Sequence, residues 1–285
     1  MSEDTKNSET EEKSFLRVIV HSFFIIPFLI AVFCVLLVAG VRLLTGERRS
    51  VYDYLNDIKV GSLNKRWQGA FELSKILANP KLVPKDEQFA NELIQAFQDA
   101  KHDDHRVRQY LALAMGRTGR MEFAPVLVHA LPTEPEENVT ALLYALGMLR
   151  LKSTAEAIYP FLENANPRIR SMAVVALGTI ANPKAQGFLK KALQDEEPNV
   201  QWGAAISLAK MGDPSGKQIL LNLMDRTYLA QFPEVDQQEQ RYLMLAALNA
   251  AGQFDDADLQ NKIKELSQTD RSMKIRATAL KILHK

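Results

Sequence analysis

Four small residues, Gly116, Gly147, Gly178 and Ala209, follow one another at equal steps: 147 − 116 = 31, 178 − 147 = 31 and 209 − 178 = 31. A fixed period of about 30 residues is the mark of stacked supersecondary units, each too small to bury its own apolar face. The neighbouring positions keep the same period. Leu111, Leu142, Ala173 and Ala204 form one column, Ala114, Ala145, Ala176 and Ser207 a second, and Met115, Leu146, Leu177 and Leu208 a third. Their spacing puts each set on one face of a helix. Small residues in the second column let adjacent helices approach, and large ones in the third fill the space between layers.

Residues 166–195 show the unit in full. Asn166-Pro167 opens an apolar-periodic segment ending at Leu177-Gly178, and Asn182-Pro183 opens a second, residues 185–193. Asn caps a helix N-terminus, and Pro at the first helical position loses an N–H that would have been unpaired anyway. The unit is therefore a helix–turn–helix, and the chain is expected to be all-α. The expected pairs are 51–58 with 64–77, 87–100 with 106–117, 122–131 with 137–150, 154–162 with 167–180, 185–193 with 198–211, 215–224 with 237–251, and 256–266 with 271–283. After Ala209 the step lengthens: Asn249 lies 249 − 209 = 40 residues on. The excess falls in residues 227–236, which contain Tyr228, Phe232 and Pro233, and is expected to form a surface loop on one edge.

The N-terminal segment is of another kind. Residues 1–14 are polar and acidic, with no core-forming pattern, and are expected to be disordered. Residues 15–44 are expected to form a transmembrane anchor, and 45–285 the repeat domain. Within the anchor, residues 18–41 carry no Asp, Glu, Lys or Arg; 41 − 18 + 1 = 24 residues at about 1.5 Å each reach roughly 36 Å, against a hydrocarbon core of about 30 Å. A cleaved signal peptide competes with this reading. The nearest small-residue candidate for cleavage, Val38-Ala39-Gly40, is followed by Val41 and Leu43-Leu44 rather than by a polar mature start. Arg42, Arg48, Arg49 and Lys59 after the run slightly outweigh Lys6, Lys13 and Arg17 before it. The expectation is a single-pass protein of the cell membrane, contacting the lipid bilayer through residues 18–41, with its repeat domain in the cytoplasm.

The chain of 285 residues has a formal net charge of +1, which argues against a nucleic-acid partner, since such binders need a cationic excess. One cysteine, Cys34, excludes a disulfide framework. His102 and His105 flank Asp103-Asp104, but two weak ligands without a third or fourth do not make a metal site. No Gly-rich phosphate loop and no Gly-x-Ser-x-Gly elbow is present, so neither a catalytic site nor a cofactor is expected.

The repeating residues resemble the HEAT-repeat family, in its short PBS-lyase HEAT-like form: an acidic or amide turn, a Val-Arg pair, then a small-apolar helix ending Ala-Leu-Gly. Asp104 with Val107-Arg108, Asn166 with Ile169-Arg170 and Asp270 with Ile275-Arg276 match the start, and Ala145-Leu146-Gly147 and Ala176-Leu177-Gly178 match the end. Asn138-Val139 and Val200-Gln201 depart by losing the Arg. The resemblance covers residues from about Ser50 onward and implies a right-handed α-solenoid whose second helices line a concave face. Some family members are metal hydroxylases with paired His-Glu dipeptides, and no His-Glu occurs in this chain. Others attach bilins or act on damaged DNA bases, and nothing in the spacing supports either. Fold does not fix function in such families.

Two residue sets are candidates for recognition. The recurring Arg66, Arg108, Arg170, Arg241 and Arg276 are expected to bond turn carbonyls and acidic turn residues, with a carboxylate- or phosphate-reading stripe as the alternative. Next to them runs a variable column, Trp67, Gln109, Thr140, Ser171, Trp202 and Tyr242, and one turn on Phe71, Leu113, Tyr144, Val175, Ile206 and Ala246. Trp67, Tyr144, Trp202 and Tyr242 are the candidate partner anchors, because Trp and Tyr dominate binding hot spots; packing between repeats is the equal alternative. The expected function is a membrane-anchored, non-enzymatic scaffold holding a protein partner on its concave face, the alternative being a lyase-type or other modifying-enzyme subunit.

Overall fold

The computed structural model describes residues 24–45 and 49–284. The chain divides into two compact units, Met1–Ser50 and Val51–Lys285. The first holds helix α1 (Ile26–Thr45). The second is entirely helical among its described residues and is built from the expected pairs. The first helices of the pairs are α2 (Val51–Val60), α4 (Glu87–Asp99), α6 (Ala124–Ala130), α8 (Ala155–Ile158), α10 (Gln186–Ala192), α12 (Lys217–Leu223) and α15 (Ala257–Thr269). The second helices are α3 (Leu63–Ile76), α5 (His105–Thr118), α7 (Glu136–Leu149), α9 (Pro167–Ile180), α11 (Pro198–Lys210), α14 (Gln237–Ala251) and α16 (Met273–Leu283). One extra turn, α13 (Arg226–Leu229), lies between α12 and α14. The second helices stack in sequence order, each against the next, from α3 to α16.

The caps follow the sequence. The side chain of Asn166 accepts from the Arg168 N–H at 3.0 Å, Asn182 from Lys184 at 3.0 Å, and Asp213 from Ser215 at 2.9 Å. The first helices are shorter than their apolar periodicity suggests. Four of them open on a 3₁₀ turn, at Met121–Phe123, Lys152–Thr154, Pro183–Ala185 and Pro214–Gly216. Helix α8 gives way to a 3₁₀ segment, Tyr159–Glu163, at Pro160, which has no N–H to continue the α ladder. At the far end of the second helices a left-handed residue recurs at the same period: Gly119, Arg150, Ala181 and Gly212 have φ of 67°, 53°, 53° and 79°. A left-handed residue closes a helix by bonding its N–H back onto the last turn.

All three columns are buried, none of their members being more than 4% exposed. The glycine column explains itself in space. A Cβ on Gly116 would lie 2.7 Å from the Ala145 Cα, one on Gly147 3.1 Å from the Ala176 Cα, and one on Gly178 2.3 Å from the Ser207 Cβ. Each glycine therefore packs on the small residue of the second column one repeat later, and the Ala-Leu-Gly ending is the imprint of helix-on-helix contact. The column ends at Asn249, which is exposed and turns its amide back to the Leu245 carbonyl at 2.8 Å. Helix α16 instead crosses α14 where Gly252 faces Ile282.

The N-terminal expectations divide. The acidic tail, residues 1–14, and the start of the apolar run, 18–23, lie outside the described residues. The expected transmembrane anchor and the membrane localisation are corrected: among the described residues no helix is long and apolar enough to cross a membrane. Helix α1 runs from Ile26 to Thr45, with Pro27 in its first turn, and Arg42 interrupts its apolar sequence. The uncharged stretch inside the helix is 41 − 26 + 1 = 16 residues, or roughly 24 Å, short of a hydrocarbon core of about 30 Å. The 24-residue estimate counted the whole uncharged run as one helix, and its residues 18–23 lie outside the described residues.

Candidate partner-binding surface

The second helices are 11 to 15 residues long and pack through two faces onto the helices before and after them in the stack. Their remaining surface carries the variable column, so the four candidate anchors can be placed one by one. Tyr144 on α7 is 43% exposed and Tyr242 on α14 is 55% exposed. Trp67 on α3 is half-buried, with the Arg106 guanidinium 4.6 Å from its ring centroid and its indole Nε1 lacking a hydrogen-bond partner. Trp202 on α11 is 1% exposed.

Trp202 as a surface anchor is therefore corrected, and the cause is the 40-residue step. The insertion does not stand away as a loop. Helix α13 and the turns after it fold back over α11: Phe232 meets the Trp202 ring edge-on at 4.8 Å, Tyr228 packs on both rings, and the Trp202 Nε1 donates to the Tyr228 hydroxyl at 3.1 Å. Leu229 and Val235 of the same segment are buried. Three aromatic residues bury the position that in the other repeats is half-buried or exposed. The clue available in the sequence was that Trp202, unlike Trp67, is followed in the chain by an aromatic insertion.

Around Tyr144 the surface forms a shallow groove of about 480 Å³, lined by Tyr144, Met148, Arg150, Val175 and Thr179, with Gly147 and Ala176 as its floor. Val175 is exposed, so apolar area and a phenol ring lie side by side on neighbouring second helices. A second hollow, of about 960 Å³, lies by the first helices of the fourth and fifth pairs. Its wall is the stacked pair Tyr159 and Phe188, ring centroids 4.2 Å apart. Burial raises the Tyr159 hydroxyl pKa, and the Glu156 charge adds to that. Sequence reasoning missed this pair; the signal was an aromatic recurring in successive first helices.

The arginine column does structural work at the turns between repeats. Arg66 reaches Asp103 at 2.5 Å, and Arg108 holds Glu134 and the Phe97 carbonyl. Arg170 takes Asp195 through two bonds of 2.9 and 2.8 Å while donating to the Asn164 and Ala165 carbonyls at 3.0 and 3.2 Å. In each case a second helix ties itself to the acidic turn of the next repeat. Burial pushes the Asp195 carboxyl up, and the Arg170 bonds, the Glu197 N–H and the Arg170 charge together carry it below the ordinary aspartate value. Arg276 donates to the Asp270 carbonyl at 2.5 Å. Arg241 departs from the pattern. Its expected turn partner, Asp270, is held by Arg226 of the insertion through bonds of 2.8 and 2.9 Å, and Arg241 is exposed.

Among the described residues no group of three or more His, Cys, Asp and Glu could hold a metal ion, and His102, His105 and His129 are exposed. The surface carries aromatic and apolar area on one row of helices, with guanidinium groups at the turns.

Residues 155–230 match the HEAT-repeat family. The match places HEAT repeats in that part of the chain. Among solved structures it is similar to the complex of CpcE and CpcF of phycocyanin lyase from Nostoc sp. PCC7120, with a TM-score of 0.57 and 19% identity over 83% of this chain and 93% of that one. It is also similar to an archaeal HEAT-like repeats protein from Thermococcus onnurineus NA1, with a TM-score of 0.44 and 16% identity over 75% of this chain and 95% of that one. No curated protein sequence matches the chain. The Nostoc likeness carries the fold: residues 51–284 make a helical solenoid scaffold of HEAT-like repeats.

Proposed function

We propose that the repeat domain binds a protein partner along the concave face formed by its second helices, with Tyr144 and Tyr242 as the principal anchors and Trp67 as a third. The observation that supports this most is the exposure of two tyrosines, 43% and 55%, on a row of helices that stack on one another in sequence order. Tyrosine supplies large amphipathic contact area with few rotors to freeze, and stacked helical repeats present such rows as extended binding surfaces. The groove beside Tyr144 gives the partner apolar surface to bury. Trp202 supports this face from inside and does not touch the partner. A subunit of a lyase-type enzyme is the alternative. The Nostoc structure is a complex of two phycocyanin lyase proteins, and at 19% identity its likeness speaks for the fold alone.

The test is a paired one. Tyr144→Ala with Tyr242→Ala should abolish capture of the partner, a loss of about 2–4 kcal/mol if both are hot spots, while the melting temperature stays near that of the parent. Trp202→Ala, by contrast, should lose about 3–5 kcal/mol of stability. Unchanged capture by the double tyrosine variant would remove the concave face from consideration.

A further inference from the structure

The insertion that seals Trp202 also frees an arginine. In three repeats the column arginine reaches forward to the acidic residue of the next turn: Arg66 to Asp103, Arg108 to Glu134, Arg170 to Asp195. By the same rule Arg241 should hold Asp270. Asp270 is buried and already bound by Arg226, through both carboxylate oxygens. Arg241 is left at the surface, where it shares a pocket of about 380 Å³ with Arg226, Arg271, Gln237, Gln238 and Ser272. Among the described residues neither Arg241 nor Arg271 forms an ion pair, whereas Arg226 is neutralised by Asp270. The nearest acidic cap, Asp236, is occupied by the Gln238 and Glu239 N–H groups at 2.7 and 2.8 Å and does not line the pocket. Two unneutralised guanidiniums, two amide side chains and a hydroxyl thus converge with no carboxylate among them.

A cluster of that composition is all hydrogen-bond donors where it is charged, and planar forks of this kind match carboxylate oxygens two at a time. The pocket opens beside Tyr242: the Gln238 amide lies 3.4 Å from the Tyr242 hydroxyl. We propose that this pocket receives an acidic segment of the protein partner, its glutamate or aspartate carboxylates seated between Arg241 and Arg271 while the neighbouring residues cover Tyr242. The inference rests on the concave-face reading for its location but not for its chemistry. The second helix carries an arginine here because the ladder placed one at this position, and the insertion's Arg226 made it available.

The probe is a fluorescein-labelled peptide of alternating glutamate and alanine, titrated with the full-length chain in low and high salt and read by anisotropy. The parent should bind it, with affinity falling as salt rises. Arg241→Gln with Arg271→Gln should bind about tenfold more weakly, as expected for two partly solvated charge pairs, with an unchanged melting temperature because neither side chain holds a turn. Equal binding by parent and double variant would overturn the proposal, as would a parent that ignores the glutamate peptide. Tight binding of a phosphoserine peptide with no binding of the glutamate peptide would overturn the carboxylate assignment. The two readings also fail separately. A partner lost with Tyr144→Ala and Tyr242→Ala but retained with Arg241→Gln and Arg271→Gln leaves the concave face standing and removes the acidic segment.

Discussion

The three glycines of the repeat column offer a matched series, because each sits two residues from the end of its helix: Gly116 in α5, Gly147 in α7 and Gly178 in α9. Replacing glycine by alanine inside a helix favours folding by about 0.8–1.0 kcal/mol through backbone entropy, and that gain is the same at all three sites. What differs is the space. At Gly147 the new methyl would meet the Ala176 Cα at 3.1 Å and its Cβ at 3.4 Å, which a small shift of the helices relieves. At Gly116 it would meet the Ala145 Cα at 2.7 Å, backbone that cannot rotate away. At Gly178 it would meet the Ser207 Oγ at 2.1 Å and Cβ at 2.3 Å, and only the Oγ can turn aside. Overpacking of this kind costs about 1–3 kcal/mol. Gly147→Ala should therefore lie near the parent, and Gly116→Ala and Gly178→Ala should fall below Gly147→Ala by about 1–2 kcal/mol. Urea unfolding followed by circular dichroism measures the three against one baseline, and a common slope shows that the denatured state has not changed. Ser207→Gly should restore much of what Gly178→Ala loses and nothing of what Gly116→Ala loses. Equal stabilities across the series, or a Gly147→Ala worse than the others, would refute the helix contacts on which the repeat assignment rests.

Two further outcomes follow from the turns. Asp195 is held below its ordinary value in the folded chain, so it contributes stability above the unfolded-state value of about 3.9 and loses it as pH falls through the depressed folded-state value. Asp195→Asn should cost about 1–3 kcal/mol at pH 7, and the gap from the parent should shrink below about pH 4; a gap independent of pH would show that the Arg170 bond is not its source. Arg150→Gly and Ala181→Gly should each stabilise the chain by about 0.5–1 kcal/mol, because both residues hold the left-handed conformation that Gly119 and Gly212 adopt freely at the same point of the repeat; melts with no gain would place the strain elsewhere.

The repeat was legible because its cause is local and periodic. A glycine packed on an alanine one repeat later leaves a mark every 31 residues, and Asn-Pro openings mark the caps. The short first helices were less so: Pro160 ends α8 within four residues, and apolar periodicity does not distinguish an α turn from a 3₁₀ turn of similar pitch. The surface was legible only in part. Tyr144 and Tyr242 stand where the column put them, but no periodicity says what a 40-residue step will cover, and Trp202 was covered. The anchor reading rested on charge pattern, which gives the length of an apolar run and not the length of a membrane-crossing helix.

The insertion between α12 and α14 ties these observations together. A repeat array has one rung per turn, and a departure at one position must be compensated nearby or leave a buried group without a partner. Here the compensation is visible on both sides. Trp202 brings an indole N–H into the core, and Tyr228 supplies its acceptor. Asp270 is a buried carboxylate in the last turn, and Arg226 supplies its cation. Both Tyr228 and Arg226 belong to the inserted segment, so the segment is structural first. Its consequence for recognition is indirect. By sealing the variable column at Trp202 and releasing Arg241 beyond it, the insertion divides the row of second helices into two exposed parts. One, at Tyr144 and Val175, is apolar; the other, at Tyr242, Arg241 and Arg271, is cationic. A partner that spans both needs an apolar residue and an acidic one separated by the width of the sealed repeat, and that spacing is a stricter requirement than either patch imposes alone.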